Sequence, residues 1–136
     1  MRRPLAVAAG LGIVSAVAVA ACGGAQRADS STPSPECTTA ALAGPATTAA
    51  EAMGRDNLYT VDTVNCADGW AVTAGLLASK ENPAMGAPTS FVFRQQDGSW
   101  VSQDKAAVCG TDPVTTTPPA DAAIPAALFV SGCAAG

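Results

Sequence analysis

The stretch Leu58-Tyr59-Thr60-Val61-Asp62-Thr63-Val64-Asn65-Cys66-Ala67-Asp68-Gly69-Trp70-Ala71-Val72-Thr73-Ala74-Gly75-Leu76-Leu77 decides the fold. Its first part is dense in β-branched residues and reads as a strand over Leu58–Cys66. Asp68-Gly69 is the residue pair of a tight hairpin turn. Beyond it Trp70, Val72, Ala74 and Leu76 alternate onto one face, so the second part is the returning strand. The arrangement then repeats: Thr89-Ser90-Phe91-Val92-Phe93-Arg94, a turn at Asp97-Gly98, and Ser99-Trp100-Val101-Ser102. Phe91 and Phe93 share a face, and Trp100 comes back beside them. Two hairpins in succession predict a four-stranded antiparallel meander.

Working outward, Thr38 to Gly54 is largely Ala and Thr, with Leu42, Glu51 and Met53. Proline suits a first helical turn and glycine a helix end, so the expected helix runs from near Pro45 to Gly54. Ser79 to Pro88 reads as a polar, proline-containing loop. On the other side, Thr111–Pro119 is a loop by composition. It leads into Ile124-Pro125-Ala126-Ala127-Leu128-Phe129-Val130, a short final helix with Ile124, Leu128 and Phe129 toward the sheet. The expected class is α+β: one antiparallel sheet, an N-terminal helix and a short C-terminal helix, with the helices to one side.

The N-terminus has a separate logic. Arg2 and Arg3 precede an apolar run from Leu5 to Ala20, which closes in Val19-Ala20-Ala21-Cys22. That is the pattern of a bacterial lipoprotein signal, in which the cysteine becomes the lipidated first residue. Ordinary cleavage after Ala18-Val19-Ala20 is a weaker fit. An uncleaved span is weaker still, because the run is short and broken by Gly10, Gly12 and Ser15. Residues 1–21 are therefore expected to be a signal peptide, residues 22–36 a lipidated cysteine and tether, and residues 37–136 a single domain. A diacylglyceryl thioether on Cys22 together with an acyl group (palmitate-like) on its amine would hold the protein stably on the extracytoplasmic face of the cell membrane. The Gly-, Ser- and Pro-containing tether reaches roughly 20 Å.

Cysteine parity supports the same division. Five cysteines are present, and setting Cys22 aside leaves Cys37, Cys66, Cys109 and Cys133, a pairable four. The chain has only six aromatic residues, and much of its 49% hydrophobic content is alanine, so its core is thin. Two disulfides would each contribute about 3 kcal/mol in the chain-entropy model. Of three connectivities, proximity in sequence favours Cys37 with Cys66 and Cys109 with Cys133.

The segment Cys66-Ala67-Asp68-Gly69-Trp70-Ala71, the Phe-rich strand, Asp97-Gly98-Ser99-Trp100, and Ile124-Pro125 with a closing Cys133 together resemble small cell-envelope lipoproteins of actinobacteria, of mycobacterial type. The resemblance covers about Cys37 to Cys133. Most such proteins carry no assigned function, and the shared residues are scaffold, so it implies location and fold rather than activity.

Charge and side-chain inventory narrow the function. Losing Arg2 and Arg3 with the signal peptide leaves five basic residues against eleven acidic ones, a net charge of −6 with no basic cluster. Nucleic acid is not an expected partner. Histidine is absent, which removes the commonest general base and metal ligand. No CxxC spacing suggests a thiol redox or zinc site. No cofactor or metal is therefore expected. Pairs of carboxylates remain as a catalytic group, since Asp56, Asp62 and Asp68 could face one another near the first hairpin, but ordinary turn and edge charges account for them better.

Two readings follow. In the first, the chain is a non-enzymatic binding or accessory module for an envelope protein, with Tyr59, Trp70 and Trp100 as an exposed aromatic patch near the sheet edge. Packing of both tryptophans on the inner face with Phe91 and Phe93 is the plainer account of those residues. In the second, the chain carries or senses a small apolar ligand or lipid, in a cavity lined by Leu58, Val72, Leu76, Phe91 and Phe93.

Overall fold

The computed structural model describes residues 34–112 and 116–134. The expected signal peptide, Cys22 and most of the expected tether lie outside the described residues. The elements are α1 (Thr39–Met53), β1 (Asn57–Ala67), β2 (Trp70–Ser79), β3 (Asn82–Gln96), β4 (Ser99–Gln103), and the single-turn helices α2 (Lys105–Val108) and α3 (Ala126–Phe129), the last running into a π-type turn at Val130–Ala134. The four strands form one antiparallel sheet in the order β1-β2-β3-β4, the expected meander. Both Asp-Gly turns form as read. Asp68 and Gly69 have φ of 50° and 77°, and Asp97 and Gly98 have 50° and 78°. Positive φ at both central residues matches the right-handed strand twist, and Asp and Gly tolerate it.

Two boundaries and the placement of the helices differ from expectation, each for a physical reason. Helix α1 begins at Thr39, and Pro45 sits inside it. Thr38 caps the start, its hydroxyl accepting from the Ala41 N–H at 3.0 Å. Leu42, upstream of the proline, is fully buried. Capping and burial of that first turn outweigh the hydrogen bond that Pro45 withholds from the Ala41 carbonyl. Second, most of the expected Ser79–Pro88 loop is strand, since β3 starts at Asn82. Pro88 pairs with Leu76 on β2, but β4 covers only Val92–Gln96, so on its other side Pro88 lies at an open edge. Gln95 N–H donates to the carbonyl of Gly69, the turn residue that leads into β2, at 2.8 Å. Alternation then turns the Pro88 nitrogen toward the open edge, where no ladder bond is lost.

Third, the helices do not lie to one side. One core cluster joins Leu42, Ala46, Ala49 and Ala50 of α1 to Tyr59, Ala71, Phe93 and Trp100. The other joins Trp70, Val72 and Val92 to Val108, Ile124, Leu128 and Phe129. Ala71 and Val72, or Phe93 and Val92, are neighbours on a strand and point to opposite faces. The sheet is covered on both: by α1 on one, by the short C-terminal turns on the other. Cys37–Cys66 ties the start of α1 to β1 across a separation of 29 residues. Cys109–Cys133 closes the C-terminal cap over 24.

Candidate functional site

The aromatic residues proposed as a contact patch belong to the core. Tyr59, Trp70 and Trp100 are 6%, 7% and 9% exposed, and they do not share a face. Trp100 packs on the α1 face with Phe91 and Phe93, while Trp70 lies on the opposite one. The Arg94 guanidinium stands 5.2 Å from the Trp70 ring centroid, a cation–π contact that covers it further. Trp100 donates its indole N–H to the Glu36 carbonyl at 2.9 Å, which fixes where the chain enters the fold. Tyr59 crosses over Gly75, donates to the Thr89 carbonyl at 2.9 Å and meets the Thr73 hydroxyl at 3.2 Å. Gly75 has no alternative here, because a Cβ would stand 1.9 Å from the Thr60 oxygen. Burial first, and the Asp62 charge after it, push the Tyr59 phenol above its ordinary value of 10.0 against the Thr73 hydrogen bond.

The expected ligand cavity does not form either. Val72 and Phe93 are wholly buried on opposite faces, and Leu58 and Leu76 are partly exposed toward solvent. Nor do the three carboxylates meet. Asp56 precedes β1, Asp62 sits at its register shift and Asp68 follows it, so the outer two stand roughly 40 Å apart at strand rise. Among the described residues no group of His, Cys, Asp and Glu is placed to hold a metal ion.

What the fold builds instead is a half-open groove of about 780 Å³ where β4 ends. One wall is the last two turns of α1, with Ala49, Ala52 and Met53. The floor is β3 from Thr89 to Val92, and the far end is closed by Gln103, Asp104 and Lys105. The geometry has a simple origin. β3 continues past the reach of β4, whose chain turns away into α2 at Asp104, and the alanines of α1 leave space above Phe91. Asp104 caps α2, its carboxylate accepting from the Ala106 N–H at 2.9 Å.

Lys105 is the cation of this groove. Its ammonium donates to the Ser90 hydroxyl at 2.7 Å, and desolvation lowers its pKa from the ordinary 10.5. It makes no ion pair among the described residues; the salt bridge there joins Lys80 to Glu51 at 2.9 Å. Ser90 is only 4% exposed, so its hydroxyl is a support for the lysine and not a nucleophile open to substrate. Sequence reading overlooked both residues. The available sign was Asp104 ahead of Lys105-Ala106-Ala107, a capping residue before helix formers that ends β4 and turns the lysine back.

Fold and groove together define a two-disulfide α+β domain with a covered sheet and an apolar trough beside α1. No protein-family model, no curated protein and no solved structure matches the chain.

Proposed function

We propose that this protein is a lipid-anchored extracytoplasmic binding module without catalytic chemistry, held to the cell membrane through Cys22 and acting on an envelope protein. The observation that carries the reading is cysteine parity. Cys37, Cys66, Cys109 and Cys133 are consumed in two disulfides. That leaves Cys22 as the odd cysteine, at the end of the Val19-Ala20-Ala21-Cys22 signal. Structural disulfides belong to oxidising compartments, which supports export. Burial of Tyr59, Trp70 and Trp100 moves the contact surface away from the aromatics, and the groove beside α1 takes their place.

A second reading is favoured by the groove itself. Its apolar walls and single half-buried cation suit a small apolar or amphipathic ligand, so the module carries or senses such a molecule. The anchoring reading is tested by Cys22→Ser. Fractionation of cells should move the protein from the membrane to the soluble fraction with its fold intact, and the folded domain should offer no alkylatable thiol before reduction. An unchanged membrane fraction would count against lipidation. Two or more reactive core thiols would defeat the export argument.

A further inference from the structure

We propose that the groove between the end of α1 and the open edge of β3 binds a single-chain amphiphile with a carboxylate head, a long-chain fatty acid, with the head on the Lys105 ammonium and the tail along Phe91, Ala49, Ala52 and Met53. The proposal deepens the ligand-carrying reading above and rests on it.

Three observations support it. The first is charge. The groove's lining holds one cation, Lys105, whose observed partner is the neutral Ser90 hydroxyl; Ser90 alternates with Phe91 and faces the other side of the sheet, so the ammonium stands across the open edge of β3 from the α1 wall and the tail passes over that edge. The neighbouring Asp104 carboxylate is turned to the Ala106 N–H as a helix cap. A half-buried ammonium without a carboxylate is poorly compensated, and a carboxylate ligand supplies the charge-assisted hydrogen bond it lacks. One ammonium and one hydroxyl match a singly charged head. A phosphate would call for more donors than this end of the groove presents.

The second is shape. The trough is open on one side and floored by a strand edge. Its helical wall is made of alanines that leave room, with Met53 at the rim, mostly exposed and adaptable. Pro88 withholds a donor from the edge, and β3 shifts register beyond its Leu77 pairing, two features that discourage an added peptide strand. A flexible alkyl chain needs neither donor nor register.

The third is placement. Glu36 is held at Trp100, and Trp100 shares a shallower hollow with Thr48 and Ser102, two residues that also line the groove. Cys22 precedes Glu36 by 14 residues. On the anchoring reading, a lipidated Cys22 would keep the domain on a membrane, where such amphiphiles reside.

The test uses the full chain in a total cell extract containing both membrane and soluble fractions, so it reads the groove whether or not Cys22 is lipidated. The probe is hexadecanoate bearing a photoactivatable diazirine near the end of its tail, with the corresponding alcohol as the uncharged control. Labelled peptides are mapped by mass spectrometry. Label is expected within Ala49–Met53 and Thr89–Val92, falling about tenfold with the alcohol head or with Lys105→Gln. It should survive Lys105→Arg, and Ala52→Trp, an exposed position, should abolish it by filling the trough. Equal labelling by acid and alcohol, insensitivity to Lys105→Gln and Ala52→Trp, or label elsewhere or nowhere on the chain would each overturn the proposal. Failure of anchoring would appear instead in the Cys22→Ser fractionation, with this map unaffected.

Discussion

The two faces of the sheet are covered in opposite ways. On one, a 15-residue helix lays the stripe Leu42, Ala46, Ala49 and Ala50 against Phe93 and Trp100. On the other, the cover is two single-turn helices and a π-type turn, none longer than five residues. A long helix brings its own hydrogen-bond ladder, whereas short turns cannot persist alone and take their shape from packing and cross-links. The cap accordingly leans on supports beyond any helical ladder of its own. Val108 accepts from the Ala123 and Ile124 N–H groups, Cys109–Cys133 joins its two ends, and Gly132 lies so close to the sheet that a Cβ would stand 2.9 Å from Ile124 and 3.0 Å from Val72.

That contrast predicts how the faces fail. Phe93 and Phe129 are both fully buried, one under each cover. Alanine at either should cost about 3–5 kcal/mol, a large share of the stability expected of a domain this size. Denaturant unfolding would give the cost and hydrogen exchange the pattern. Phe93→Ala is expected to raise exchange across the sheet centre, and Phe129→Ala to raise it first in residues 105–112 and 122–134. Identical patterns would show the two faces to be one cooperative unit.

The disulfides sharpen the same point with a smaller effect. The closed loops are similar in size, so chain entropy assigns each about 3 kcal/mol. Replacing Cys37 and Cys66 by serine should lower the unfolding midpoint while α1 stays docked through Leu42 and its alanines. Replacing Cys109 and Cys133 should lower it comparably and also free the cap, read as lost protection of the Ala123 and Ile124 amides at temperatures where the sheet is intact. Retained protection there would mean that side-chain packing alone holds the cap.

The same contrast explains what was legible in the sequence. The hairpins were, because Asp68-Gly69, Asp97-Gly98 and period-two alternation are local signals. So was the cysteine pairing, since the connected residues are near in sequence. The side of the sheet each helix takes was not, because Phe91-Val92-Phe93 is apolar at every position and alternation cannot say that both faces are covered. Nor was the helix start, which depends on burial of Leu42. The groove was invisible for another reason: it arises from the unequal lengths of β3 and β4, a tertiary mismatch that no short motif records.

A polar lock on the α1 face gives the next effect. Tyr59→Phe removes the bonds to Thr73 and the Thr89 carbonyl and should cost about 1–2 kcal/mol in denaturant unfolding. It should also change the alkaline limb. The Tyr59 pKa is raised in the folded state, so its contribution is complete below 10.0 and is lost as pH climbs through the raised value. Lys105 acts in the opposite sense. Its folded pKa is lowered, so stability recovers as pH rises from that value toward 10.5. The phenylalanine variant should therefore lose less stability between pH 10 and 11 than the parent. An equal loss in both would place the alkaline transition elsewhere.

The smallest expected effect belongs to the loop feeding the cap. Asp121 accepts from the Thr111 N–H at 3.0 and 3.1 Å and from the Thr111 hydroxyl at 2.6 Å, and these bonds hold its carboxyl below the usual 3.8. The contribution is present above 3.8 and disappears as pH falls through the lowered folded value, because protonation takes away an acceptor the Thr111 groups use. The group is fully exposed, so water competes for every one of these bonds and the change should be local. Asp121→Asn should leave the unfolding midpoint nearly unchanged at pH 7 while removing the acid-dependent shift of the Thr111 amide resonance between pH 5 and 2. Gly110 sits against this clip with φ of 76° and a notional Cβ 2.7 Å from the Asp121 oxygen, so the turn is shaped by backbone as well as by charge. If the variant also unfolds the cap at neutral pH, the carboxylate is holding the C-terminal face together, and the division of labour between disulfide and packing on that side has to be redrawn.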